Sequence, residues 1–178
     1  ILDDVSFRIR RGEILGVAGV EGNGQTELIE CVAGMLRPDS GRVLLDGQDV
    51  TRMPVRKRRE AGMSHIPEDR LKVGTAKTCT IRDNLITNRY YRKPYSKHGV
   101  MDNKALMRLS GQMCRDYQIK TPDATYLLST LSGGNMQKVV FAREMEADPT
   151  LLVAAQPTRG IDIGAIESIW TRIIQARD

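Results

Sequence analysis

Apolar positions at Leu2, Val5, Phe7 and Ile9 recur through residues 1–10 with the spacing of a strand, and residues 14–18 form a second apolar run. Arg11-Gly12-Glu13 between them reads as a tight turn. The second run leads straight into Gly19-Val-Glu-Gly22-Asn23-Gly24-Gln25-Thr26, after which Leu28, Ile29 and Val32 predict a helix over 27–33. A turn over 34–41 precedes two short strands, 42–45 and 48–50, closed by Asp46-Gly47 as a hairpin. Residues 53–61 predict a short basic helix, and 62–66 a core strand ending at Pro67-Glu68-Asp69-Arg70.

From residue 73 to 129 the pattern turns helical. Thr80 caps a helix start at 81–85, residues 90–99 form a polar, aromatic, proline-interrupted loop, and 104–117 are amphipathic through Ala105, Leu106, Leu109 and Met113. Leu131-Ser132-Gly133-Gly134-Asn135-Met136-Gln137-Lys138 then opens a helix through Met145, with Ser132 as its cap. The continuous apolar run 150–154 predicts a fully buried strand. Pro157-Thr-Arg-Gly-Ile-Asp162 and a last helix over 165–176 follow.

Two of these junctions carry chemistry. Strand, glycine loop and helix in succession are the context of a P-loop, whose backbone amides cradle phosphate oxygens. Against the pattern GxxxxGK[ST], Gly19, Gly24 and Thr26 fit, while Gln25 stands where the lysine belongs. The scaffold is present and its charge is missing; charge-assisted hydrogen bonds are about twice as strong as neutral ones, so nucleotide binding is expected to be weakened. The second junction, Ser132 and its two glycines, offers free amides and the positive end of a helix dipole to an anion. An ordinary helix start after a flexible turn explains that stretch equally well when it stands alone.

Composition narrows the class. The 178 residues suffice for one domain, and with 40% apolar but 4% aromatic residues its core is expected to be aliphatic. No apolar run approaches the roughly 20 residues of a membrane span, and no secretory signal is recognisable, so a soluble piece is expected. The net charge of +5 fits a nucleic acid or a membrane face, although the basic residues are spread out apart from 56–59 and 89–97. Tyr90, Tyr91 and Tyr95 interleave with the second cluster as bases would require for stacking, or as a solvated loop facing a membrane partner. Cys31, Cys79 and Cys114 lie far apart and only two histidines, His65 and His98, are present, which points to a reducing compartment without a metal cluster.

Glycine loop, LSGG stretch and PTRGID stretch, in this order, resemble the Walker A, signature and D-loop motifs of ATP-binding cassette (ABC) domains. The resemblance covers essentially the whole chain. It implies an α/β P-loop fold with a mainly parallel core sheet, a small antiparallel β element and a helical subdomain, residues 1–72 and 130–178 forming the core and 73–129 the subdomain. The ligands it implies are ATP and Mg²⁺. Gly19, Gly22, Asn23, Gly24, Gln25 and Thr26 would meet a nucleotide, as would Ser132, Gly133, Gly134, Gln137 and Asp162; Thr26 and Glu68, at the Q-loop position, would meet the metal. Ala155 and Gln156 replace the aspartate and glutamate that close the Walker B strand in the family. With Gln25, that removes charge three times from one constellation, which argues against hydrolysis at this chain's own site.

Pro67-Glu-Asp-Arg70 resembles the second cassette of simple-sugar and nucleoside importers that carry two cassettes on one polypeptide. That implies a second cassette and transmembrane permease subunits as partners, no direct nucleic-acid contact, and a cytoplasmic place at the inner membrane face. The family's last strand, switch histidine and adenine-stacking aromatic are not found in the chain, which reads as a fragment. Two other functions stay open from the residues alone: an active ATPase in which neighbouring groups replace the lost charges, and an ABC protein acting on nucleic acid, for which only the positive charge speaks.

Overall fold

The computed structural model describes residues 2–20 and 22–177. A parallel pair forms the centre: β3 (Met63–Ile66) lies beside β6 (Leu151–Ala154), with Met63 opposite Leu151 and Ile66 opposite Ala154. All four residues of β3 are buried, including the polar Ser64 and His65 between Met63 and Ile66. The antiparallel element is β1 (Leu44–Leu45) with β2 (Gln48–Asp49), turned by Asp46 and Gly47 at φ 48° and 77°, the left-handed pair that Asp-Gly adopts readily.

The helices are α1 (Gln25–Ala33), α2 (Val55–Glu60), α3 (Ile81–Ile86), α4 (Asn103–Asp116), α5 (Gly133–Met145) and α6 (Ile163–Arg177). Side-chain caps fix four of their starts: Thr80 accepts from the Asp83 amide, Asp102 from that of Ala105, Ser132 from that of Asn135, and Asp162 from that of Ala165. Helices α3, α4 and α5 pack around one aliphatic core that includes Ile81, Leu85, Leu106, Met113, Val139, Val140 and Phe141 and reaches Ile66 and Ile169. A smaller cluster of Leu45, Val50 and Met63 lies under the hairpin.

Helix α5 is buried nearly all round, and its polar residues are spent on fixing it. Glu144 is fully buried and accepts from Arg59 Nη1 at 2.7 Å, Arg143 Nε at 2.8 Å and the His65 amide at 3.3 Å. Burial alone would raise its pKa; the guanidiniums of Arg143 and Arg59 overcome that and hold the carboxyl below its ordinary value. Ser64 donates to the Glu144 carbonyl at 2.9 Å, so the helix is bolted to β3 by side chain and backbone.

Three expectations are corrected. The strand over 150–154 forms but is not fully buried: Leu151–Val153 are half-buried and Ala154 is exposed, because β3 is its one partner among the described strands and its other edge stays open. Residues 2–10 and 14–18 are not in strands, and Val5, Ile14, Val17 and Val20 are about half exposed or more. Side-chain spacing supplies one face of a strand but not the ladder of hydrogen bonds that makes it one, and no segment among the described residues pairs with them. The turn between them does form, with the Glu13 amide on the Arg10 carbonyl at 3.1 Å; Ile1 lies outside the described residues. The loop at 90–99 is also more ordered than its composition predicts. Ser96–Lys97 (β4) and Val100–Met101 (β5) form a second hairpin around His98 and Gly99, at φ 50° and 81°.

Candidate functional site

The glycine loop ends as expected at a helix N-terminus. Gly22 and Gly24 take φ 87° and 98°, which a residue with a Cβ rarely adopts, and the Leu28 amide closes the first turn on the Gly24 carbonyl at 2.9 Å. No side chain caps α1, so its first amides are left for another acceptor. Gln25 does not project away from the loop. Its Nε2 donates to the Val20 carbonyl at 3.3 Å and lies 1.8 Å from where a Cβ on Gly19 would stand. The carboxamide therefore covers Gly19, and Gly19 must be glycine to admit it. Thr26, Gly22 and Asn23 are exposed; Glu21, inside the loop, lies outside the described residues.

At the ends of β3 and β6, the parallel register brings together two residues 88 apart in sequence. Gln156 Nε2 donates to Glu68 Oε1 at 3.0 Å, and Arg159 Nη1 reaches the same oxygen at 2.7 Å. Gln156 holds this position from a left-handed φ of 46°, just after Ala155, whose buried amide donates to the Ile66 carbonyl at 2.9 Å. The pair sits beyond the carboxyl ends of two parallel strands, where ligands bind in open α/β sheets.

As a Mg²⁺ site the arrangement is poor. The ion demands several hard oxygens in near-octahedral geometry. Ala155 offers none, Glu68 Oε1 is already taken by Arg159 and Gln156, and no group of three acidic, histidine or cysteine side chains among the described residues is placed to hold a metal. The Thr26 hydroxyl is not joined to Glu68; the hydrogen bonds of loop 19–26 stay within that loop and its helix.

The signature stretch is built as predicted. Ser132 Oγ accepts from both the amide and the Nδ2 of Asn135, at 3.4 and 3.0 Å, and Asn135 Oδ1 accepts from the Lys120 amide at 2.9 Å. Gln137, 2% exposed, donates to the Pro157 carbonyl at 2.9 Å and ties α5 to the loop 157–162. In that loop Asp162 caps α6 through the Ala165 amide at 2.9 Å and lies near Gly134. That amide, with Lys138 and Lys120 beyond it, holds the Asp162 carboxyl below its ordinary pKa. Gly133 stays exposed at the start of α5 beside the Arg70 guanidinium, and Gly134 is half-buried. Sequence reasoning singled out Ser132, Gly133, Gly134, Gln137 and Asp162; it missed the Glu68, Gln156 and Arg159 contact and the Arg59, Glu144 and Arg143 bolt, both of which depend on pairing across more than 80 residues.

Similarity to known proteins agrees with this geometry. Over 98% of its length the chain is 43% identical to a guanosine import ATP-binding protein of Bacillus subtilis and 41% identical to a nucleoside import ATP-binding protein of Lactococcus lactis. Over 99% it is 38% identical to a glucose import ATP-binding protein of Haloferax volcanii. The chain spans about a third of the length of each. Among solved structures, a dimeric ATP-binding cassette in a post-hydrolysis state with ADP and Pi matches with a TM-score of 0.78 at 19% identity, covering 97% of this chain and 72% of that one. Residues 2–159 match the profile described as ABC transporter, and the chain therefore belongs to the ABC transporter family as an ATP-binding domain with the cassette fold.

Proposed function

We propose that this domain serves a sugar or nucleoside importer as one of two paired cassettes, donating its signature to a nucleotide held by the other cassette while its own site does not hydrolyse ATP. The observation that carries the reading is the contrast between the signature stretch and this chain's own nucleotide motifs. Ser132, Gly133, Gly134 and Gln137 are in place, capped and tied to the Asp162 loop. At the glycine loop, Gln25 lies across Gly19, and at the strand ends Ala155 and Gln156 supply no carboxylate.

ABC ATPase domains bind ATP and Mg²⁺ in general. In this chain the amides of 22–26 and the Thr26 hydroxyl are what remains to meet a nucleotide, with Glu68 near the strand ends. Signature amides aimed at a γ-phosphate would stabilise charge as it develops in transfer and would close the two cassettes on each other. Residues 1–72 and 130–178 act as the nucleotide core and 73–129 as the helical subdomain, with the chain in the place of the C-terminal cassette of a tandem polypeptide. Transmembrane permease subunits are the further partners, and the domain works at the inner face of the membrane. No helix among the described residues is long and apolar enough to cross it. The test is Ser132→Arg in the complete gene product assembled with its permease. ATPase activity is expected to be abolished; activity unchanged would end the donor reading.

A further inference from the structure

Arg70 joins three loops that the sequence keeps apart. It leaves the end of β3 at the start of a π-helical turn, Arg70–Gly74, and its carbonyl accepts from Thr75 Oγ1 at 2.8 Å. Its side chain passes between the first residue of α5 and the loop 157–162. Nη1 donates to the Arg159 carbonyl at 2.9 Å. Nη2 stands 3.0 Å from where a Cβ on Gly133 would be and 3.1 Å from the same place on Gly160, which is held at φ 66°. A Cβ at either glycine would crowd the guanidinium and oblige it to shift by a few tenths of an ångström.

Arg70 gains little for the fold in return. Its Nε is buried without a hydrogen-bond partner, and no carboxylate pairs with it among the described residues, because Glu68 is engaged by Arg159 and Gln156. A buried donor left unmade costs stability. What the guanidinium offers is shape: a rigid planar fork that a lysine cannot imitate. Wedged between two glycines, it sets their separation.

We propose that Arg70 is a positioning residue, a spacer that fixes the signature glycine Gly133 against the loop 157–162 and makes both follow any displacement of residues 67–74. The proposal rests on the reading that Ser132, Gly133 and Gly134 meet a nucleotide held by a second cassette. In that arrangement the partner's own loop binds most of the nucleotide, so loss of the spacer falls on turnover and not on ATP binding.

The experiment compares Arg70→Ala and Arg70→Lys with the parent in the complete gene product with its permease, reading kcat, KM for ATP and the thermal midpoint. Misplacing a catalytic contact by about 1 Å costs up to roughly a hundredfold in rate. Arg70→Ala is expected to lose about tenfold or more in kcat, with KM within about twofold and the midpoint nearly unchanged. Arg70→Lys can still reach the Arg159 carbonyl but not both glycines, and its kcat is expected to fall between the other two. If Arg70→Ala does not fold, the lysine variant decides. Full kcat in the lysine variant, or a rise in KM at constant kcat, overturns the proposal. So does a lowered midpoint with full turnover per folded molecule. Failure of the underlying reading is seen separately: Ser132→Arg would then leave activity intact, whatever Arg70 does.

Discussion

Replacing Glu144 by glutamine is the sharpest probe of how the signature helix is held. Two carboxylate oxygens of Glu144 receive Arg59 Nη1 and Nη2 at 2.7 and 3.3 Å, Arg143 Nε at 2.8 Å and the His65 amide at 3.3 Å, in a residue of zero exposure. Glutamine keeps the volume but puts an NH₂ against donors and leaves the Arg143 guanidinium, 9% exposed, without its charge partner. Breaking a buried pair from one side costs about 3–5 kcal/mol. Against a total stability of about 5–15 kcal/mol that is a large fraction. At roughly 2–4 °C per kcal/mol for a chain of this size, the midpoint should drop by about 6–20 °C. Urea unfolding followed by far-UV circular dichroism reads the free energy directly. Glu60→Gln is the matched control: its partners Arg56 and Lys57 are 63% and 65% exposed, and its loss should leave the stability almost unchanged. A cost under about 1 kcal/mol for Glu144→Gln would refute the bolt as described.

Two further outcomes follow from the same interior. His65 is 9% exposed and lines a cavity of about 140 Å³ with Arg58, Arg59 and Arg143. Burial lowers its pKa from 6.5 to about 4, against the pull of Glu144 and with the help of Arg59 and Arg143. A depressed folded pKa means that the unfolded chain takes up the proton first, so stability is full above pH 6.5 and declines as pH falls toward 4. The loss amounts to about 3 kcal/mol, and His65→Phe should flatten that segment of a stability-against-pH curve; an unaltered slope would contradict it. Gly34 closes α1 at φ 84°, and an added Cβ would stand 2.5 Å from Nε of Arg58, whose guanidinium donates to the Cys31, Val32, Thr51 and Met53 carbonyls. Gly34→Ala should therefore cost about 2 kcal/mol or more in the same urea assay, and a neutral result would show that Arg58 does not anchor the end of the helix.

The sequence was most informative where a local rule acts alone. Asp46-Gly47 predicts its own hairpin and Ser132 its own cap, because each depends on neighbours within a few residues; the run 150–154 predicts its strand but not its depth, since Leu151–Val153 are half-buried and Ala154 is exposed. It was least informative where spacing stands in for pairing. The apolar positions at Val5 and Val17 carry the right interval for strands but no ladder, and stay exposed. Gln25 was legible as a lost charge; that its carboxamide folds over Gly19 was not, since the same residue type could have pointed outward. Glu68 and Gln156 each read as a departure from the family pattern, and only the parallel register of β3 with β6 shows that they share one hydrogen bond.

The central claim, an intact signature beside a nucleotide loop that has lost its charges, is tested most directly by calorimetric titration of the chain with ATP and Mg²⁺, repeated on Gln25→Lys/Ala155→Asp/Gln156→Glu, with hydrolysis followed in both. Weak binding and no turnover by the parent, with binding at least about tenfold tighter in the triple variant, is the predicted result. Equal tight binding by the two proteins, or Mg²⁺-dependent turnover by the parent alone, would contradict it.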